Sequence, residues 1–154
     1  MLNSDYRDIL RAFSAERVEF LLVGAYAMAA HGYPRSTVDL HLWIRPSAGN
    51  AAAVMRALGH FGAPTHEVSI KDFEKDDMVF QIGVAPRRID IITTASGLQF
   101  EATFANAVAV DIKGLNVRVP CVADLIRNKK ATGRTKDLAD AEALEALQNL
   151  DGSA

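Results

Sequence analysis

The sequence predicts an α/β (α+β) protein in which a twisted, mixed β-sheet carries packed helices. Two β-rich runs, Phe20–Val23 and Val38–Ile44, flank a helix of small residues at Ala25–His31. Two further pairs of β-rich runs joined by short turns predict hairpins, and the C-terminal part has helical spacing. With 154 residues, 49% of them hydrophobic, the chain can bury a sizeable core. We expect a single domain over residues 1–150 and a loose tail at 151–154.

The other elements are predicted from the spacing of apolar residues and from the residues that can begin or end a helix. Asn3 or Ser4 can cap a first helix, whose apolar positions recur every three or four residues up to Phe13. Ser47 caps a second helix, which ends near Gly59 or Gly62. In chain order, the remaining predicted elements are a short helix within 63–77, strands at Val79–Gly83 and Arg88–Thr93, a helix at Leu98–Ala105, strands at Ala107–Ile112 and Asn116–Val119, and helices at Val122–Thr132 and Lys136–Leu150.

Composition excludes several classes of protein. A formal net charge of −2 argues against a broad nucleic-acid footprint, which is normally strongly basic. The single cysteine, Cys121, cannot form an internal disulfide and suits a reducing compartment. No apolar run approaches the roughly 18 residues of a membrane span. We therefore expect a cytoplasmic protein with no membrane partner.

The most informative stretch is the strand that contains Asp39 and His41. Residues two apart on a strand point to the same face, so a carboxylate and an imidazole lie side by side there. Upstream, Gly24 stands where a strand feeds a helix, a turn that lets backbone amides approach phosphate oxygens. Asp90 is a lone carboxylate in an apolar strand, a position that favours an ion pair, a metal or a strand edge. Together these residues suggest a metal-dependent phosphate site.

This pattern resembles the nucleotidyltransferase superfamily, which includes polymerase-beta-like enzymes, minimal nucleotidyltransferases and abortive-infection nucleotidyltransferase toxins. That family has Gly followed by Gly or Ser at the first strand–helix turn, two acids two residues apart on the next strand, and a third acid on a neighbouring strand. Gly24–Ala25, Asp39 with His41, and Asp90 occupy these positions here. The chain departs from the pattern twice, because Ala25 lacks a hydroxyl and His41 replaces a carboxylate.

The resemblance implies transfer of a nucleoside monophosphate from a nucleoside triphosphate (NTP) to a hydroxyl of an RNA end, a protein or a small molecule. It implies Mg²⁺ or Mn²⁺ as cofactor and a toxin–antitoxin role with an antitoxin partner. The implied catalytic and metal-binding residues are Asp39, His41 and Asp90. The implied nucleotide-binding residues are Gly24, Ala25, Arg35, Thr37, Lys130 and Arg134.

His41 leaves three interpretations open. The site can be degenerate and inactive, it can work with one ion or a softer metal such as manganese or zinc, or the histidine is an introduced substitution. In the inactive case the protein is a nucleotide-binding or partner-binding module that kept the fold. A simple structural role for Asp39, as a cap or as a partner of Arg35, is also compatible with the sequence.

The C-terminal run from Asp124 to Leu144 supports the resemblance. Related proteins end with a lysine, an arginine four residues later and two acids three residues apart, which correspond here to Lys130, Arg134, Asp137 and Asp140. Lys130 and Arg134 suit phosphate oxygens. A solvated helix face, in which the two acids neutralise nearby bases, is the alternative, and we favour it for Lys129, Lys136 and Asp140. For Trp43, beside the acidic strand, core packing is favoured over base stacking.

Overall fold

The computed structural model describes residues 2–34, 37 and 39–150. Their helices and strands alternate much as the sequence predicts. The helices are α1 Ser4–Ala15, α2 Ala25–Ala30, α3 Ala48–Phe61, α4 Phe100–Ala105, α5 Val122–Thr132 and α6 Thr135–Leu150; the strands are β1 Phe20–Val23, β2 Asp39–Ile44, β3 Val79–Ile82, β4 Arg88–Ile92, β5 Val108–Ile112 and β6 Leu115–Val119.

The predicted mixed sheet is present: four strands pair in the order β1-β2-β4-β3. The central pair, β2 and β4, is parallel, whereas the β1–β2 and β3–β4 pairs are antiparallel. The parallel register places His41 opposite Asp90 and Asp39 opposite Arg88. The strand pairing therefore brings together two acids that lie far apart in the sequence.

The second predicted hairpin, β5–β6, forms a separate two-stranded sheet, and β6 packs beside β1. Helix α1 contributes four fully buried side chains to the main core, and α3 packs against α1. The apolar positions that predict these two helices are the positions that they bury. Core packing thus fixes the sheet from one side and leaves its other face to a smaller apolar cluster.

Trp43 lies in that smaller cluster with Leu21, Val23 and Phe100. Its side chain is 1% exposed, and its indole nitrogen donates a hydrogen bond to the backbone oxygen of Thr93 at 3.1 Å. The predicted core role of Trp43 is confirmed. A buried indole whose only polar atom is already bonded has no face left for a nucleobase.

The segment 63–77 differs from the prediction of one short helix. It forms two 3₁₀ turns, Thr65–Glu67 and Ile70–Glu74. Ser69 and Asp72 form a reciprocal cap at the start of the second turn. This cap begins a new turn at a point where a single helix would have continued. No helix among the described residues is long and apolar enough to cross a membrane.

Candidate active site

Gly24 connects β1 to α2 in a conformation that strongly favours glycine. Its φ of 74° is positive, and its carbonyl accepts hydrogen bonds from the amides of Ala27 and Met28. Space is not the constraint, since a Cβ added at Gly24 would lie 3.8 Å from the ring of His41, an ordinary contact. The turn therefore brings the backbone at Gly24 and Ala25 against the side chain of His41.

The central feature of the site is a cluster of Asp39, His41 and Asp90. His41 Nε2 lies 3.0 Å from Asp39 Oδ2 and 3.3 Å from Asp90 Oδ2. One potential ligand atom from each residue lies within 4.8 Å of the other two. Asp90 is 3% exposed, whereas the side chains of Asp39 and His41 are about one-third exposed. The sequence-based expectation that these three residues meet is thus fulfilled in space, and a ring nitrogen faces both carboxylates.

Two neighbours hold the carboxylates in place. Arg88 donates from Nε to Asp90 Oδ1 at 3.1 Å and from Nη2 to Asp90 Oδ2 at 2.8 Å. The Thr37 hydroxyl donates to Asp39 Oδ1 at 2.9 Å. Burial tends to raise the pKa of Asp39, but the hydrogen bonds from His41 and Thr37 and the nearby positive charges lower it overall. Asp39 is therefore an anion at neutral pH.

The cluster opens into a cavity of about 460 Å³ between the sheet and the C-terminal helices. One wall carries the cluster, Gly24 and Ala25, and the opposite wall carries cations. The polar residues lining the cavity are Thr37, Asp39, His41, Arg88, Thr94, Ser96, Asn128, Lys129, Thr132, Arg134, Lys136, Asp137 and Asp140. The size is typical of a small-molecule or cofactor site.

The far wall is built on a buried ion-pair network. Lys129 Nζ lies 3.2 Å from Asp140 Oδ2 and 3.8 Å from Asp137 Oδ1. Both carboxylates are at most 2% exposed, and the Lys129 side chain is 13% exposed. Arg134 donates from Nε to Asp137 at 2.7 Å and from Nη2 at 3.3 Å. The expectation of a solvated face is therefore wrong for Lys129 and Asp140, because α5 and α6 pack against each other there.

Lys130, the lysine predicted to hold the triphosphate, does not line the cavity. Its side chain is 56% exposed and its Nζ lies 3.4 Å from Glu145. With 100° per residue, Lys129 falls within the arc of the buried Leu125 and Ile126, whereas Lys130 lies roughly 90° away from its centre. The position of each lysine relative to the buried face of the helix is therefore the sequence signal that separates the inward Lys129 from the exposed Lys130.

The remaining predicted residues divide between the cavity and other places. Gly24, Ala25, Thr37 and Arg134 line it, whereas Arg35 lies outside the described residues. The nucleotide-binding roles assigned to these residues remain predictions.

The loop after β4 also lines the cavity, through Thr94, Ala95 and Ser96, which is a contact that was not predicted from the sequence. Gly97 has a φ of 76°, and a Cβ there would lie 2.7 Å from Ala131 Cβ, so only glycine allows this loop to approach α5 so closely. Asn128 then donates to the backbone oxygen of Ser96 at 2.9 Å. Gly97 before a predicted helix was the one available signal for this contact.

The Arg134–Asp137 pair should make stability depend on pH in the acid range. Hydrogen bonds from Arg134 lower the pKa of Asp137 from 3.8 to about 2 despite burial. A lowered folded-state pKa stabilises the fold above pH 3.8, and this contribution is lost as the pH falls towards 2. We expect Arg134→Gln to reduce the free energy of unfolding at pH 7, because the buried Asp137 carboxylate loses its hydrogen bonds from Arg134.

Urea denaturation of the wild type and of Arg134→Gln between pH 7 and pH 2 measures this effect. The difference between the two proteins should shrink as Asp137 becomes protonated. Arg11→Gln, at an exposed position of α1, is the matched control and should change little. A difference that stayed constant down to pH 2 would show that Arg134 does not act through the charge of Asp137.

Solved structures of other proteins resemble this chain over nearly its whole length. No protein-family model and no curated protein matches the sequence. A solved structure from Thermotoga maritima, provisionally named a nucleotidyltransferase, matches over 97% of this chain and 96% of its own, with 15% identity and a TM-score of 0.58. The fold is nucleotidyltransferase-like. The structure of ANT(2'')-Ia in complex with adenylyl-2''-tobramycin also matches, over 94% of this chain and 92% of its own, with 14% identity and a TM-score of 0.50.

Proposed function

We propose that this protein transfers a nucleoside monophosphate from an NTP to an acceptor hydroxyl. In this reaction the hydroxyl oxygen bonds to the α-phosphorus, the bond from that phosphorus to the pyrophosphate oxygen breaks, and the hydroxyl proton is released. The observation that carries the proposal is the Asp39–His41–Asp90 cluster at one wall of a cavity whose other wall is cationic. The nucleotidyltransferase-like fold supports it.

The donor set fits a bound divalent ion. Two carboxylates and one imidazole nitrogen lie within 4.8 Å of one another; Asp39 and His41 line the cavity, and Asp90 is buried beside them. When bound, such an ion offsets the negative charge of the phosphate oxygens and of the leaving pyrophosphate. Asp39, His41 and Asp90 would hold it, and Thr37 and Arg88 fix the orientation of the two carboxylates.

Cations on the far wall are placed to bind the triphosphate. Arg134 is 69% exposed and uses Nε and Nη2 for Asp137, so its Nη1 can donate to a phosphate oxygen. Lys136 is exposed and lines the same cavity. Lys129 is engaged by two buried carboxylates and serves mainly to hold this wall together. Arg134 and Lys136 therefore take the role that the sequence suggested for Lys130.

The acceptor is inferred only by class. ANT(2'')-Ia was solved with adenylyl-2''-tobramycin, a nucleotidylated small molecule, and this neighbour favours a small-molecule hydroxyl as acceptor. An RNA end and a protein hydroxyl are the other classes to test. A toxin role with an antitoxin partner rests on the sequence resemblance alone.

A second function is favoured by one specific observation. Both oxygens of Asp90 already accept from Arg88, and His41 adds no negative charge at the second acidic position. These contacts suit a protein that binds nucleotide without transferring it. His41→Asp separates the alternatives, because an inactive module with an otherwise intact site should gain activity from the restored carboxylate.

The test follows α-³²P-labelled NTPs with Mg²⁺ or Mn²⁺ and measures both pyrophosphate release and label on RNA, protein or aminoglycoside. We expect one NTP to raise the melting temperature in a concentration-dependent way and to yield labelled acceptor. Arg134→Gln combined with Lys136→Gln should weaken NTP binding, whereas Lys71→Gln combined with Lys113→Gln, at exposed positions distant in sequence, should not. If no NTP binds, with either metal, the proposal is rejected; binding without transfer by the wild type supports the second function.

A further inference from the structure

Two of the donor separations in the Asp39–His41–Asp90 cluster match those expected around a single metal ion. With metal–donor bonds of about 2.0–2.2 Å, neighbouring donors on one ion are roughly 3.0–3.4 Å apart. The distances from His41 Nε2 to Asp39 Oδ2 and to Asp90 Oδ2 are 3.0 and 3.3 Å. The cluster therefore needs little rearrangement to surround one ion.

Hydrogen bonding accounts for part of this geometry. The single proton of an imidazole nitrogen can be directed at one carboxylate or shared between two, and Asp90 Oδ2 also accepts from Arg88 Nη2 at 2.8 Å. Here one nitrogen, Nε2, faces oxygens from two carboxylates on adjacent parallel strands. A cation at the shared point would contact the nitrogen and both oxygens together.

The chemistry of the donors selects the kind of ion. Magnesium prefers an octahedron of oxygen ligands and keeps several waters. An imidazole nitrogen instead suits zinc, iron, cobalt and nickel, and manganese accepts a mixed set of nitrogen and oxygen donors. With His41 in place of a carboxylate, the set has one nitrogen and two carboxylate groups.

The charges of the cluster limit the number of ions to one. Asp39 and Asp90 supply two negative charges, and Arg88 returns one positive charge through its two bonds to Asp90. One divalent ion over-neutralises this balance slightly, whereas a second would leave a strong excess of positive charge beside Arg134 and Lys136. Without a bound nucleotide, the charge balance of the cluster thus favours a single ion.

We propose that Asp39, His41 and Asp90 bind one first-row transition-metal ion, such as Mn²⁺, Co²⁺ or Zn²⁺, in preference to Mg²⁺, with His41 Nε2 as the nitrogen ligand. This inference deepens the proposed function, since it names the metal of the same site. It concerns binding of the ion itself and can be tested without nucleotide or turnover.

The experiment titrates the metal-free protein with Co²⁺, Mn²⁺, Zn²⁺ and Mg²⁺ separately by calorimetry, and follows Co²⁺ also by visible absorption. We expect one ion per chain and an affinity for Co²⁺ or Zn²⁺ at least about tenfold higher than for Mg²⁺. His41→Gln should lower the Co²⁺ affinity on the order of 10–100-fold. Removal of a group that only orients a metal ligand already costs this much, so removal of the nitrogen ligand itself should cost no less. His41→Asp should reduce or reverse the preference over Mg²⁺.

His60→Gln is the matched control, because His60 is an exposed histidine beside a carboxylate, 3.3 Å from Glu16, and lies outside the cavity. It should leave the Co²⁺ affinity unchanged. Equal affinity for Mg²⁺ and Co²⁺, two ions per chain, or full Co²⁺ binding by His41→Gln would overturn the inference. If His41→Gln does not fold, as judged by thermal unfolding, the ratio of wild-type affinities decides alone. Metal binding without any NTP binding would uphold this inference and reject the proposed function.

Discussion

Replacing Asp39 by asparagine is expected to lower kcat/KM for nucleotidyl transfer by roughly 10³-fold, equivalent to about 4 kcal/mol of transition-state stabilisation. Asparagine keeps the size of the side chain and can still accept the hydrogen bond from Thr37, but it has no charge to offer a divalent ion. Asp39 is partly exposed, so the change should leave the fold intact. Initial rates of pyrophosphate release at saturating metal measure the effect.

The control for this prediction is Asp111→Asn, which removes an exposed carboxylate from β5, away from the cavity. Its rate should match the wild type. Thermal unfolding of Asp39→Asn should remain within a few degrees of the wild type if the loss is chemical. A variant that kept more than about a tenth of the wild-type rate would mean that Asp39 is not a metal ligand in the reaction.

Lys129→Met is expected to reduce the free energy of unfolding by about 3 kcal/mol. Methionine retains the apolar length of the lysine, so the change chiefly removes the ammonium group. Asp137 and Asp140, both buried, would then keep their negative charges without the cation between them. Arg134 still neutralises Asp137 in this variant.

Urea denaturation of two matched lysine variants tests this prediction. Lys130→Met alters the neighbouring, exposed lysine and should change stability by less than about 0.5 kcal/mol. Adding Asp140→Asn to Lys129→Met should recover part of the loss, because the second change removes a buried negative charge that no longer has Lys129 beside it. Equal effects of the two lysine substitutions would contradict the buried network.

Lys129 and Lys130 show that motif spacing and helical periodicity can predict different orientations for neighbouring residues. A motif with a lysine four residues before an arginine selects Lys130, yet the structure turns that side chain to Glu145 and solvent. The apolar face defined by Leu125 and Ile126 indicates Lys129 as the inward residue. In this helix the hydrophobic period, which was not applied to the two lysines at the sequence level, indicates the geometry better than the motif does.

The sequence by itself determined the elements and the chemistry available to them. Period-two alternation predicted β2 and put Asp39 and His41 on one face, and helical spacing predicted α1, α3 and α5. These are local properties, because each depends on residues only a few positions apart. The nucleotidyltransferase-like fold and the meeting of Asp39, His41 and Asp90 were anticipated from the resemblance to a known family, not from these local patterns.

Only the tertiary structure decided which charges are buried and which partners they take. Lys129 of α5 lies between two buried carboxylates of α6, and the loop at Gly97 packs on α5. Each of these contacts joins elements whose distance is set by the packing of the sheet and helices as a whole. The free energy of a charge depends on its burial and its neighbours, so this part of the site follows from the fold and not from the residues alone.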